Sequence, residues 1–230
     1  MIIPARDEAG NIEHVVQGFL SLQREGIPAI GEIVVVDNSS KDDTSLLACA
    51  AGATVVSEPL RGYGRACLRG LGYLAQRPAG PPDVVVFADG NASTEPAELE
   101  KLLAPIEASE AHFVLGVRPR MAARGAVSVQ QRFGNWLACF MIKCLYGTKY
   151  SDLAPFRAIA WESLTQLGMN DLTYGWSIEM QVKAAKQGLK IREVEVRTYP
   201  RMAGRSKVSG TIRGVFGAGW KIITTILRYR

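Results

Sequence analysis

Three short polar segments carry the residue types that ligand chemistry needs. They are Pro4-Ala5-Arg6-Asp7-Glu8, Asp37-Asn38-Ser39-Ser40 and Asp89-Gly90-Asn91-Ala92-Ser93. Each follows an apolar run rich in β-branched residues: Ile2-Ile3, Ile33 to Val36 and Val84 to Phe87. One carboxylate leaving a hydrophobic strand serves equally well as a helix cap. Three in series on strands that alternate with helices say more, because open α/β sheets bind ligands outside the carboxyl ends of their strands.

Phosphate chemistry has two further candidates. Arg61-Gly62-Tyr63-Gly64-Arg65 lies at a fourth strand-to-helix turn, where a glycine-rich loop at a helix start can cradle phosphate. It matches neither G-x-G-x-x-G nor the P-loop pattern, and a plain strand–turn accounts for it as well. The second candidate is the C-terminal stretch. From Val196 onward there are eight Lys or Arg and no Asp or Glu, which leaves 19 basic against 22 acidic residues in the remainder. The net charge of +5 therefore belongs to the tail. A uniform basic coat would suggest nucleic acid. A basic tail on a mildly acidic body suggests phosphates or an anionic membrane face.

Other chemistries have few candidates. Cys49, Cys67, Cys139 and Cys144 form no C-x-x-C pair, and the two histidines are His14 and His112. This argues against a Cys/His zinc site, and neither histidine lies in a nucleophile motif. With 47% hydrophobic and 21% charged residues in 230, the chain has the balance of an ordinary folded domain. Its longest uncharged run, Thr44 to Ser57, is 14 residues, and others such as Phe133 to Ile142 are shorter, so none reaches the roughly 20 residues of a spanning helix. The N-terminus lacks the layout of a secretion signal, and scattered cysteines fit a reducing cytoplasm. The expectation is a cytoplasmic protein, peripheral on the inner membrane face if it meets the membrane at all.

The elements that must position these residues read as strand–helix alternation. Thr54 to Val56 and Phe113 to Leu115 join the three runs above as short apolar strands buried on both faces. Helix patterns cover Asn11 to Leu22, Asp42 or Asp43 to Ala50, Tyr63 to Ala75, Pro96 to Ile106, Phe133 to Tyr146 and Tyr174 to Gln187, and Lys190 to Val196 reads as a strand. This predicts one α/β domain with a mostly parallel central sheet and helices on both faces. Residues 1–210 form its body. Residues 211–230 form a cationic amphipathic helix of the same domain, with Ile212, Val215, Phe216, Ile222, Ile223, Ile226 and Leu227 on one stripe and Arg213, Lys221 and Arg228 off it. Such a helix either packs on the core or lies in a membrane interface.

In their order, these segments resemble family 2 glycosyltransferases with the GT-A fold, the fold of nucleotide-diphospho-sugar transferases. Ile2 to Ile12 resembles the family's start, and Ile33 to Thr44 its second strand and loop. Val84 to Asn91 sits where its D-x-D motif sits. Ser151-Asp152-Leu153-Ala154-Pro155-Phe156-Arg157-Ala158 resembles its D-x-x-(S/G)-(G/P)-F-R segment. Arg201-Met202-Ala203-Gly204-Arg205-Ser206-Lys207 resembles the R-x-x-G-x-S-K loop of the dolichyl- and polyprenyl-phosphate sugar synthases. The likeness runs along essentially the whole chain.

The resemblance implies transfer of a hexose from a nucleoside-diphosphate sugar, of UDP-glucose or GDP-mannose type, with inversion at the anomeric carbon. It places Pro4, Ala5, Glu8 and Asp37 at the base and ribose, where carboxylates accept hydrogen bonds from N–H and O–H groups. It places Asp89 by the donor's ribose and, with Asn91 and Ser93, around a divalent cation, Mg²⁺ or Mn²⁺. Asn91 departs from the motif, since a neutral amide replaces the second carboxylate and weakens the attraction for a hard cation. Arg201, Ser206 and Lys207 would grip the donor diphosphate, whose departure builds negative charge that fixed cations stabilise. Arg118 and Arg132, flanked by Gln131 and Asn135, match the positions that hold an acceptor phosphate. Such a phosphate needs no strong base, whereas an alcohol acceptor would, and Asp152 is then the candidate. Asp152 also reads as a structural cap, and Trp176 and Glu179 fall near the acceptor side. The implied partners are the sugar nucleotide and a polyprenyl phosphate or other acceptor, with a membrane surface and without nucleic acid. Transfer to a soluble acceptor and a non-catalytic sugar-nucleotide-binding module are the alternatives. A nucleotidyltransferase would need a glycine-rich basic loop after the first strand, which Pro4 to Glu8 is not.

Overall fold

The structure is a computed structural model and describes residues 1–118, 129–204 and 223–229. Seven strands form the main sheet: β1 (Ile2–Ala5), β4 (Val34–Asp37), β5 (Thr54–Ser57), β6 (Val84–Phe87), β7 (Phe113–Val117), β8 (Arg157–Ala160) and β9 (Ile191–Glu195). Their order is β5-β4-β1-β6-β8-β7-β9. A two-stranded hairpin of β2 (Gln23–Arg24) and β3 (Ile27–Pro28) stands apart from it.

The strands form because side chains alternate between two apolar layers. On one face Ile2, Val34, Val36, Val85, Phe87, Phe113 and Leu115 pack under α3 (Tyr63–Ala75), α5 (Val129–Tyr146), α6 (Trp161–Leu167) and α7 (Trp176–Lys186). On the other, Ile3, Val35, Val86 and Val114 pack under α1 (Ile12–Leu20), α2 (Thr44–Ala50) and α4 (Leu99–Glu107). Double-sided burial is why these runs are continuously apolar. The strands β1, β4, β6 and β7 run in one direction, so their carboxyl ends meet at one edge of the sheet.

The GT-A architecture is present: the sheet is mainly parallel and clothed by helices on both faces. Two strands depart from the expected pattern. β5, expected to be buried on both faces, is an edge strand whose Thr54, Val55 and Val56 are only half-buried. β8, read from the sequence only as part of a motif, lies in the middle of the sheet, antiparallel to β6 and β7. It is four residues long, begins with an arginine and follows Pro155, so it carries no alternating strand signal. The Pro96 segment is a 3-10 turn, Pro96–Glu98, that leads into α4. Of the C-terminal helix, 223–228 is helical, with Ile226 fully buried and its carbonyl accepting from Tyr146 Oη at 2.6 Å. That part packs on the core, while 211–222 lies outside the described residues.

Candidate active site

The loops after β1 and β4 are laced together. The Asp7 and Glu8 N–H groups donate to Ser40 Oγ (3.0 Å) and Thr44 Oγ1 (2.8 Å), Ala9 N–H to Asp42 Oδ2, and Lys41 N–H to Asp7 Oδ1. Asp37 ends β4 half-buried, and its Oδ1 accepts the Ser40 N–H. Pro4 and Ala5 lie within β1, and Ala5 is buried. Each of the three site loops holds one non-glycine residue in the left-handed region: Asp7 (φ 51°), Ser39 (φ 63°) and Ala92 (φ 56°). Such backbone costs about 1–2 kcal/mol per residue, and strain of this kind clusters where geometry serves a ligand.

Asn38 has a structural duty. Its amide nitrogen donates to the carbonyls of Glu58 and Leu60, and its Oδ1 accepts the Gly62 N–H at 2.8 Å. This bears on Arg61 to Arg65. The Gly64 and Arg65 N–H groups donate to the carbonyls of Thr173 and Leu172. A Cβ on Gly64 would stand 1.9 Å from the Asp171 carbonyl oxygen, and one on Gly62 2.2 Å from that of Leu172. The two glycines admit the 171–173 backbone against α3. The Gly62, Gly64 and Arg65 N–H groups are thereby taken, which favours the plain strand–turn over a phosphate cradle.

Segment 198–204 folds back across the site. Thr198 pairs with Thr94, Tyr199 N–H donates to the Ser93 carbonyl, and Met202 N–H donates to that of Asn91. Asn11 exchanges hydrogen bonds with the Ala203 backbone. Arg201 Nη1 stands 3.1 Å from both oxygens of buried Glu8. Two residues expected to hold the donor thus meet as an ion pair. Ser206 and Lys207 lie outside the described residues.

At the expected acceptor side, Arg118 follows β7 and is clamped by Asp152. The Asp152 carboxylate, almost fully buried, accepts Arg118 Nη2 at 2.6 Å, Nε at 2.8 Å and the backbone N–H at 3.1 Å. Asn135 joins α5 to the same loop, accepting Leu153 N–H at 2.7 Å and donating to the Ser151 carbonyl. Arg132 is exposed near the start of α5 and makes no ion pair among the described residues. Glu179 does not face the site. Its carboxylate accepts the Asn170 and Asp171 N–H groups and pairs with Lys183 and Tyr229. Trp176 is buried edge-on against Phe87.

Asp89 is the centre of the electrostatics. Burial pushes its carboxyl pKa up, Arg118, Arg201 and Arg157 oppose that, and Glu8 adds to it. Arg157 is the residue that sequence reasoning missed. Its guanidinium is buried 1% exposed beneath the cleft and is held by the carbonyls of Ser177, Leu153 and Ala154, with Phe113 under it at 6.0 Å. No carboxylate reaches it within ion-pair distance among the described residues, and burial lowers its pKa. Its signal was its place in the F-R motif.

The donor set decides what cation it could hold. Asp89 has no hydrogen-bond partner among the described residues, so its oxygens are open. Asn91 Oδ1 accepts the Ser93 N–H at 3.0 Å and keeps a second lone pair. Among the described residues there is no cluster of three or more His, Cys, Asp or Glu that could hold a metal. The set suits a hard cation shared with substrate phosphates rather than a cage made by protein alone.

Comparison with known proteins gives the family. The sequence profile of Glycosyl transferase family 2 matches residues 1–163. An uncharacterised glycosyltransferase of Mycobacterium tuberculosis (strain H37Rv) is 35% identical over 201 residues, covering 86% of this chain and 88% of its own. The undecaprenyl-phosphate mannosyltransferase of Micrococcus luteus is 26% identical over 203 residues, covering 83% of this chain and 81% of its own. Among solved structures, glucosyl-3-phosphoglycerate synthase from M. tuberculosis, in complex with Mn²⁺, UDP-glucose and phosphoglyceric acid, superposes with a TM-score of 0.73 at 25% identity, over 99% of this chain and 78% of its own.

Proposed function

Since this chain belongs to glycosyltransferase family 2 and is a hexosyltransferase, we propose that it moves a hexose from a nucleoside-diphosphate sugar to a polyprenyl phosphate, with inversion. The observation that carries the acceptor class is the Asp152–Arg118 clamp. Three N–H groups occupy the Asp152 carboxylate, so it orients a guanidinium rather than waiting to accept a proton. A phosphate acceptor suits this, because its oxygen is already anionic and needs no base.

In this reading Arg118 holds the acceptor phosphate, with Arg132 as the second cation. The phosphate oxygen attacks the anomeric carbon from the face opposite the leaving group. A C–O bond forms, the bond to the diphosphate breaks, and the nucleoside diphosphate leaves. Pro4, Ala5, Glu8 and Asp37 line the base and ribose. Arg201, Ser206 and Lys207 meet the diphosphate. Asp89, Asn91 and Ser93 would hold Mg²⁺ or Mn²⁺, which supplies Lewis-acid stabilisation of the leaving charge. Complexes of the mycobacterial synthase with Mn²⁺ or Mg²⁺ and UDP support the cation. The enzyme would work peripherally at the inner face of the cell membrane.

A second reading has one observation behind it. The synthase that shares this fold was solved with phosphoglyceric acid, a soluble phosphorylated acceptor. Incubation with radiolabelled UDP-glucose and GDP-mannose, with polyprenyl phosphate in detergent or with phosphoglycerate, separates the two. Label entering the organic phase supports the lipid acceptor. Label kept in water and dependent on phosphoglycerate overturns it.

A further inference from the structure

The helix α5 carries an aromatic ladder that the chemistry above does not use. Phe133, Trp136 and Phe140 are 61%, 59% and 52% exposed. Their rings touch in sequence, with centroids 5.9 Å and 5.7 Å apart, the second pair stacked. The opposite side of α5 is in the core through Ala138, Cys139 and Ile142. Arg132 and Lys143 are exposed near the two ends of the ladder. Contiguous exposed aromatic surface on a folded domain marks an interaction site.

Charge selects the occupant. From Ala111 to Ser151 the sequence holds six Lys or Arg and no Asp or Glu. A second copy of this face would set cation against cation, with no acid on α5 to answer it. An anionic bilayer interface supplies both an apolar boundary for the rings and negative headgroups for Arg132 and Lys143. Position agrees. Asn135, between Phe133 and Trp136, is bonded to the 151–153 loop that carries Asp152, which clamps Arg118. The ladder thus borders the acceptor end of the site.

We propose that the Phe133–Trp136–Phe140 face of α5 seats on the interface of a membrane rich in anionic lipid and presents the acceptor end of the site to the headgroups. Its orientation rests on the lipid-phosphate reading above. It assigns the membrane contact to α5, where the sequence pointed to 211–230.

The test is co-sedimentation of the full chain with vesicles of equal parts phosphatidylglycerol and phosphatidylcholine, against phosphatidylcholine alone. Binding to the anionic vesicles is expected, with a blue shift of Trp136 fluorescence. The F133S/W136S/F140S variant should lose roughly a hundredfold in partition, about fivefold for each half-exposed ring. All three side chains are exposed, so thermal stabilisation by sugar nucleotide should be unchanged. Equal vesicle binding by wild type and variant overturns the proposal, as does a wild type that ignores vesicles. A wild-type dimer that the variant dissolves, without vesicle binding, also overturns it and gives the face to a second copy. Transfer to detergent-dispersed polyprenyl phosphate is measured alongside. Transfer without vesicle binding sinks this inference alone, whereas vesicle binding without transfer upholds it and sinks the acceptor reading.

Discussion

Asp152→Asn separates an orienting carboxylate from a catalytic base. Asp152 is 4% exposed and accepts three N–H groups from one residue, Arg118, whose side chain is 26% exposed. Hydrogen bonds to a charged group contribute about 1.5–3 kcal/mol, and removing one partner of a fully buried ion pair costs about 3–5 kcal/mol. Solvent at the Arg118 end screens part of that, and asparagine keeps one oxygen, so a loss of about 2–3 kcal/mol is expected. For a domain of this size that lowers Tm by roughly 5–10 °C. The amide also turns an N–H toward the guanidinium and releases Arg118 from its fixed direction. With a phosphate acceptor, KM for the acceptor should then rise by one to two orders of magnitude. Differential scanning fluorimetry and initial rates over acceptor concentration measure both. A variant with normal Tm and normal acceptor KM but no turnover would refute the reasoning, and would return Asp152 to the role of base for an alcohol acceptor.

Gly64→Ala should cost about 3 kcal/mol or more and yield little soluble protein, because its Cβ would fall 1.9 Å from a backbone oxygen; a normal melting curve would contradict the close approach of 171–173 to α3. Asn91→Asp should tighten Mn²⁺ binding in the presence of nucleoside diphosphate by about tenfold, read by titration calorimetry, and an unchanged affinity would remove Asn91 from the cation site. Iodoacetamide at pH 8 should label Cys49 and Cys144, which are exposed, and spare Cys67 and Cys139, as peptide mass mapping would show. Burial pushes the Cys139 thiol up to about 12 from an ordinary value near 9. The folded state therefore holds that proton where the unfolded chain releases it, so stability from this group is complete below about pH 9 and declines from there to about pH 12. Melting temperatures across that range should fall, less steeply in Cys139→Ala.

Much of the sheet was legible because β1, β4, β6 and β7 are short, β-branched and buried on both sides, so each announces itself without its neighbours. Their polar ends were legible for the same reason. What stayed hidden depends on distant partners. The Asp152–Arg118 clamp joins residues 34 apart, and Glu8 and Arg201 are separated by 193. The two glycines of Arg61 to Arg65 carried the look of a phosphate loop, yet their reason is a carbonyl over a hundred residues away. Glu179, which the sequence set beside the acceptor, is buried under Asn170 and Tyr229, and nothing local to α7 signals it.

The basic tail, a single property in the sequence, divides into separate tasks in space. Arg197 stands 3.7 Å from Glu98 on the rim, and Arg201 neutralises Glu8 in the cleft. Around Asp89 the described charges then balance: Glu8, Asp89 and Asp152 against Arg118, Arg157 and Arg201. Two of the arginines are already committed to carboxylates, and the third is walled off by backbone carbonyls. A sugar nucleotide would bring at least two negative charges into a cluster with little positive charge to spare, in a setting where burial already raises the Asp89 pKa. Counter-charge must come from beyond this cluster. In the proposed reading, a divalent cation between Asp89 and the diphosphate would supply two charges where they are needed, and the Asn91 amide would then suffice because the phosphates bring further anionic oxygens.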